Sequence, residues 1–436
     1  MPHQYSRRTF LSLTLSASLA HAGAQLPILR GKRVSILDHG AKADGATLNT
    51  RAIQATIDSL ASTGGGTVVI PAGTFISGAI FLKRGVHLHL EKGAVLQAST
   101  DVAANFPAQR TRIEGHFEEK FTPALINAKN CDGLRITGEG TLDGAGRPIW
   151  DQFWKMRNAA PDPHNFPNIG LPRARLAILE ESRNITVEGV TFKDSQFWNL
   201  HLYKCDGVTV KNARFQVPDD YKQAPSTDGI DLDSCRNVTV DGCFFSVTDD
   251  CIAAKGSKGP NADKDTASPP VEHIRVRNCT FKRGNGIVTL GSEATLVRDV
   301  QVENCNVIGE VKIAVLKLRP DTPQHYEDIH FRNITLNGSR APMVQIQPWS
   351  QYFDLKGNTP PKSIVRNVTI TGVKGRFGTF GTIKPNPGQT EIADIVFKDI
   401  NVTLQDPKLN TEGVKGLKFE NVIINGKNIT SAESLA

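Results

Sequence analysis

ITVEGVTF (185–192), VTVKNARF (208–215), VTVDGCFF (238–245) and IRVRNCTF (274–281) are four copies of one pattern. It returns as VQVENCNV from 300, IHFRNITL from 329, VRNVTITGV from 365, IVFKDINV from 395 and LKFENVII from 417. Each copy alternates apolar and polar residues on either side of a central Asn, Asp or Gly, which reads as strand, tight turn, strand. Asn and Gly suit that turn because they tolerate left-handed backbone angles. Successive copies start 22 to 36 residues apart, too far for hairpins, and the spacers lack the period of a helical repeat.

These observations predict an all-β, single-domain, right-handed parallel β-helix over residues 25–436. Each coil buries its inward residues against its neighbours, so no coil is stable alone and the ends need covers. Length by itself would argue for two or three domains; the repeats argue for one. A cover is expected from the N-terminal capping helix at 47–62. There Ile53, Ile57 and Leu60 recur on one face, Asn49 or Thr47 can cap the start, and Gly64, Gly65 and Gly66 end it. It is expected to be the main helix. The segments 103–124, 147–175, 217–226, 256–271, 319–327 and 345–362 exceed a coil's needs and are expected as loops walling a binding site.

Residues 1–24 read as a cleavable export signal of the twin-arginine type: Arg7 and Arg8, an apolar run from Phe10 to Ala20, then small residues. That run is too short to cross a bilayer, and no later one is long enough. The protein is therefore expected in the periplasm or outside the cell, without membrane or nucleic-acid partners. Net charge is +7, or +5 without the two signal arginines, which suits a polyanionic substrate. The seven cysteines lack zinc-site spacing and read as stacked buried thiols, with one disulfide left open. Oligomeric state is not legible.

Chemistry concentrates in STDGID (226–231) and TDDCIAAKG (248–256), which place Asp228 one coil before Asp249 and Asp250. Parallel strands stack about 4.8 Å apart, so the three carboxylates should meet on one sheet face. Asp is common in turns, and a lone Asp-Asp pair more often means a turn than a site. Three crowded carboxylates are different. Repulsion raises at least one pKa and leaves a protonated acid beside ionised bases, as cleavage of a glycosidic bond requires. Neighbouring residues of an ideal strand face opposite ways, so Asp249 and Asp250 must lie at a bend to share the site.

STDGID, TDDCIA, GNGIVTLGSE (284–293) and AVLKLR (314–319) together resemble the four ordered signatures of glycoside hydrolase family 28, the polygalacturonase family: N-T-D, D-D, G-H-G and R-I-K. DHGAKADGATLNTRAIQATIDSLASTGGGTVVIPAGTF (38–75) resembles its capping region. The resemblance implies Asp249 as the general acid, Asp228 and Asp250 as the carboxylates activating water for inversion, and Lys317 as a contact for the substrate carboxylate. It implies no metal and no cofactor. Two positions depart from the pattern: Asn285 replaces the His, and Val315 replaces the Arg. Asn285 can still hydrogen-bond a sugar but cannot titrate near neutral pH. Alternation along the strand points Arg319 outward with Lys317, as a substitute for the missing Arg.

Trp349, Tyr352 and Phe353 form an aromatic cluster, as do Trp150, Phe153 and Trp154; each is a sugar platform or a loop's private core. The expected activity is inverting, exo-acting hydrolysis of acidic pectic poly- or oligosaccharide. The alternatives are a hydrolase for rhamnogalacturonan or other branched pectin, a lyase on the same scaffold using calcium, and a non-catalytic glycan-binding β-helix.

Overall fold

A computed structural model describes residues 31–349 and 353–435. The export signal and Tyr352 lie outside the described residues. Lys32–Ala436 forms one compact unit, a right-handed parallel β-helix whose single sheet system contains 32 strands.

The repeat phrases stack in register. Ile185 pairs with Val208, Val208 with Val238, Val238 with Ile274, Ile274 with Val300, Val300 with Ile329, Ile329 with Val368 and Val368 with Ile395. All eight are buried. A one-residue slip would turn this apolar column to solvent, which is what fixes the register. The central turn residues take the expected left-handed angles, with φ of 51° at Asn212, 66° at Gly242 and 56° at Asn278. On the inner face Phe192, Phe215, Phe245 and Phe281 stack with centroid spacings of 4.8, 5.0 and 5.0 Å. Burying each ring contributes on the order of 2–3 kcal/mol by transfer alone. The seven cysteines are all buried and free, and fill the column as small hydrophobes.

The cap is the helix Thr50–Ser62, which seats the fully buried Ile53, Ile57 and Leu60 on the first coil. Asn49 occupies its N-cap position, but the side chain bonds backbone groups of Lys42 and Thr47 and ties down the preceding loop. The expectation of one main helix needs correcting. Arg147–Ala159 is a second helix of the same length, started by Pro148 and burying Ile149, Trp150 and Phe153. These positions recur at i, i+1 and i+4, a helical face that also reads as an aromatic cluster in a loop. Segment 103–124 likewise contains an antiparallel hairpin, Gln109–Ile113 with His116–Phe121.

Candidate active site

Of the long segments, 103–124, 147–175, 217–226 and 345–362 lend residues to a cleft of about 620 Å³ over one face of the helix, whereas 256–271 and 319–327 lend none. Asp228, Asp249, Asp250, Asn285, Lys317 and Trp349 all line that cleft. Ile230 pairs with Ile252, and the Gly229 amide donates to the Asp250 carbonyl at 2.9 Å. Coil stacking therefore sets Asp228 beside Asp250. Thr248 and Asp249 form a bend before the strand Ile252–Lys255, and the Asp250 amide donates to Asp249 Oδ1 at 3.0 Å. The bend lets both neighbours face the cleft. One carboxylate oxygen from each of Asp228, Asp249 and Asp250 falls within 4.8 Å of the others, the one such grouping among the described residues.

The three carboxylates differ in environment. Asp250 is fully buried; its Oδ1 accepts from Asn285 Nδ2 and Thr289 Oγ1, each at 2.7 Å, and its Oδ2 accepts from Lys317 Nζ at 2.8 Å. Burial opposes its charge, but Lys317, Lys255 and these hydrogen bonds outweigh burial and hold it below the usual carboxylate range. Asp249 is pushed up, first by burial and then by the Asp250 charge. Asp228 is pushed up by burial, then by Asp249 and Asp231. The site thus sets a carboxylate whose surroundings favour the ionised form beside one whose surroundings favour the protonated form, the division of labour that acid and base catalysis needs.

A second layer of charge lies beneath. Lys255 Nζ stands 3.7 Å from Asp228, 3.9 Å from Asp231 and 3.7 Å from Glu293. Burial works against that ammonium, but Asp228, Glu293, Asp231 and Asp250 together keep it charged. Asp231 is fully buried beside Asp228, and burial pushes its pKa up against the opposing pull of Lys255. Lys255 stands at Asp228 Oδ2 and Lys317 at Asp250 Oδ2, so two of the three carboxylates already face a positive charge from the protein.

Arg319 is corrected. It does not line the cleft. It is 1% exposed, with Nε and Nη2 donating to Asp321 at 2.9 and 2.8 Å and Nη1 lying 4.0 Å from Glu293. The strand ends at Leu318, so alternation no longer governs the next residue. Val315 is fully buried and leaves no cation in the missing Arg's place.

Trp349 lies in the cleft with Lys317 Nζ 4.9 Å from its ring centroid. Trp150 and Phe153 are core, whereas Trp154 reaches the cleft. Sequence reasoning missed Glu114, Trp198, Lys255, Glu293 and Lys312, which also line it. Lys255 and Glu293 stand inside the motifs TDDCIAAKG and GNGIVTLGSE, the one signal that pointed to them.

Fold and site together define a carboxylate-dependent glycoside hydrolase on a parallel β-helix. The chain belongs to the glycosyl hydrolases family 28, whose family model matches residues 63–418. A probable polygalacturonase of Vitis vinifera is 27% identical over 70% of this chain, which spans 61% of that protein's length. An exopolygalacturonase of Zea mays is 26% identical over 80% of this chain and 78% of its own. Among solved structures, a hyperthermoactive exopolygalacturonase from Thermotoga maritima superposes with a TM-score of 0.70 at 22% identity, covering 91% of this chain and 93% of the other. No helix among the described residues is long and apolar enough to cross a membrane.

Proposed function

We propose that this chain is an exported, exo-acting polygalacturonase that hydrolyses α-linked galacturonic-acid-containing pectic chains with inversion. Asp249 protonates the leaving glycosidic oxygen and Asp250 takes the proton of the water on the opposite face, with Asp228, whose pKa is pushed up, positioning that water. The carboxylate oxygens lie within 4.8 Å of one another, closer than the roughly 6.5–9.5 Å usual for an inverting pair, so inversion rests on the resemblance to the family and not on this gap. The observation that carries this reading is the split, in one cluster, between Asp249, pushed up, and Asp250, held down against burial by Lys317, Lys255 and the Thr289 hydrogen bond. Water must lose a proton as the leaving oxygen gains one, so one acid and one ionised base on opposite faces suffice.

Acidic pectin as substrate is supported by the family and by the names of the relatives. Exo attack is supported by the walls. The hairpin at 109–121 carries Glu114 into the cleft, and its turn at Gly115 packs so closely on Gly256 and Glu293 that a Cβ there would stand 3.0 Å from the Gly256 carbonyl oxygen. Export rests on Arg7 and Arg8 and the apolar run behind them, and the mature single-domain enzyme then begins near Gln25.

Product sizing during early digestion of homogalacturonan tests the exo reading. Monomer or dimer from the first time point is expected; a random spread of lengths would show endo attack.

A further inference from the structure

Four lysines line the cleft; Lys222 is exposed at its rim, and of the three deeper ones two are neutralised by the protein. Lys255 stands among Asp228, Asp231 and Glu293, and Lys317 is paired with Asp250. Lys312 is different. Among the described residues no carboxylate lies within ion-pair reach of its ammonium. Its hydrogen-bond acceptors are both on Asn285: the side-chain Oδ1 at 2.5 Å and the backbone carbonyl at 3.4 Å.

The fold places it there deliberately. The Lys312 amide donates to the Asn285 carbonyl at 3.3 Å, and Lys312 pairs in register with Gly286 at the start of adjoining strands. This puts the ammonium at the cleft edge of the same two coils that carry Val315 where the family pattern has Arg. The Asn285 amide then spans from Lys312 to Asp250, donating to Asp250 Oδ1 at 2.7 Å. A half-buried ammonium whose hydrogen-bond partners are neutral has lost water without gaining an ion pair; burial pushes its pKa down, and the more distant charges of Asp250 and Asp249 offset this only in part. An anion arriving beside it would supply the missing charge.

We infer that Lys312 is a specificity-determining residue that binds the carboxylate of a uronic acid unit next to the bond being cut. The inference rests on the proposed polygalacturonase reading and adds the residue that distinguishes an acidic sugar from its neutral or esterified counterpart. Asn285 accepts from Lys312 and donates to Asp250, so the recognised carboxylate is one amide away from the ionised base. A charge-assisted contact of this kind contributes roughly 10- to 100-fold in affinity.

Calorimetric titration tests it without turnover. Trigalacturonate and its fully methyl-esterified form are titrated into the full chain carrying Asp249→Asn, then into the same chain carrying Lys312→Met or Lys312→Arg as well. The expected result is trigalacturonate binding about 10- to 100-fold weaker with Lys312→Met and largely retained with Lys312→Arg, while the ester binds both Lys312 variants as it binds the parent. Unchanged trigalacturonate affinity in Lys312→Met overturns the inference alone. Equal losses for acid and ester also overturn it, since they would mean a disturbed cleft rather than a lost charge contact. If the Asp249→Asn parent takes up neither ligand, the polygalacturonase reading fails, and the inference falls with it.

Discussion

Lys317 Nζ and Asp250 Oδ2 meet at 2.8 Å, two coils apart along the helix, with 9% and 1% of their side chains exposed. Such a pair does little for stability while intact, because desolvation offsets attraction, but removing one partner strands a buried charge. Lys317→Met should therefore destabilise the fold by about 3–5 kcal/mol at neutral pH. It should also raise the Asp250 pKa and move the acid limb of the rate profile upward. Urea unfolding and a pH–rate series on the same variant check both.

The pH profile of the wild type follows from the two directions. Asp250 must be ionised, and its pKa is lowered, so activity persists well into the acid range and is lost only as pH falls through that depressed value. Asp249 must be protonated, and its pKa is raised, so activity is lost as pH rises through that elevated value. A bell with both limbs set by carboxylates is expected. Asn285→His should add a titrating group beside Asp250, and kcat/KM measured against pH should then show an extra transition absent from the wild type.

Stability linkage has the same signs. Asp250 contributes stability above the ordinary carboxylate pKa, lost as pH falls through its lowered one. Asp249, with its raised value, favours the fold at lower pH and opposes it once ionised. Asp249→Asn should accordingly leave the protein as stable as the wild type or more so at neutral pH. It should lower kcat by roughly 100- to 10,000-fold, the usual contribution of a general acid. Thermal melts and initial rates together separate this from a folding defect.

Phe245 lies between Phe215 and Phe281 in the inner stack, 5.0 Å from each, and is fully buried. Phe245→Ala opens a cavity in the coil that carries Asp249 and Asp250 and should cost about 3–5 kcal/mol. Chemical denaturation measures the loss; a cost under about 1 kcal/mol would mean the coils close over the gap.

Because Lys255 and Lys317 supply the positive charge at the carboxylate cluster, prior dialysis against a chelator should leave the rate unchanged. A loss of activity restored by calcium would point to lyase chemistry instead.

Much of the fold was legible because a stacked solenoid writes its register into the sequence. Ile185, Val208, Val238 and Ile274 hold the same place in their phrases and the same place in the column. The meeting of Asp228, Asp249 and Asp250 was legible for the same reason, since Asp228 and Asp249 are one coil apart in sequence. The failures occur where the repeat stops governing. Arg319 lies one residue past its strand, where Asp321 draws the guanidinium into a buried turn. Arg147–Ala159 is an excursion from the coil, and its aromatic residues satisfied a helix and a loop core equally well. Lys255, Glu293 and Lys312 are ordinary charged residues in sequence, and only the packing of four successive coils puts them under the carboxylates.

The central claim is that Asp249 and Asp250 act as acid and base on opposite faces of the sugar, and proton NMR of the first products released from homogalacturonan tests it most directly. The predicted result is saturated galacturonate released as the β-anomer, which only later mutarotates, with release slowed by roughly 100-fold or more in Asp249→Asn. Release of the α-anomer, of an unsaturated uronate, or of the same product at the wild-type rate by Asp249→Asn would contradict it.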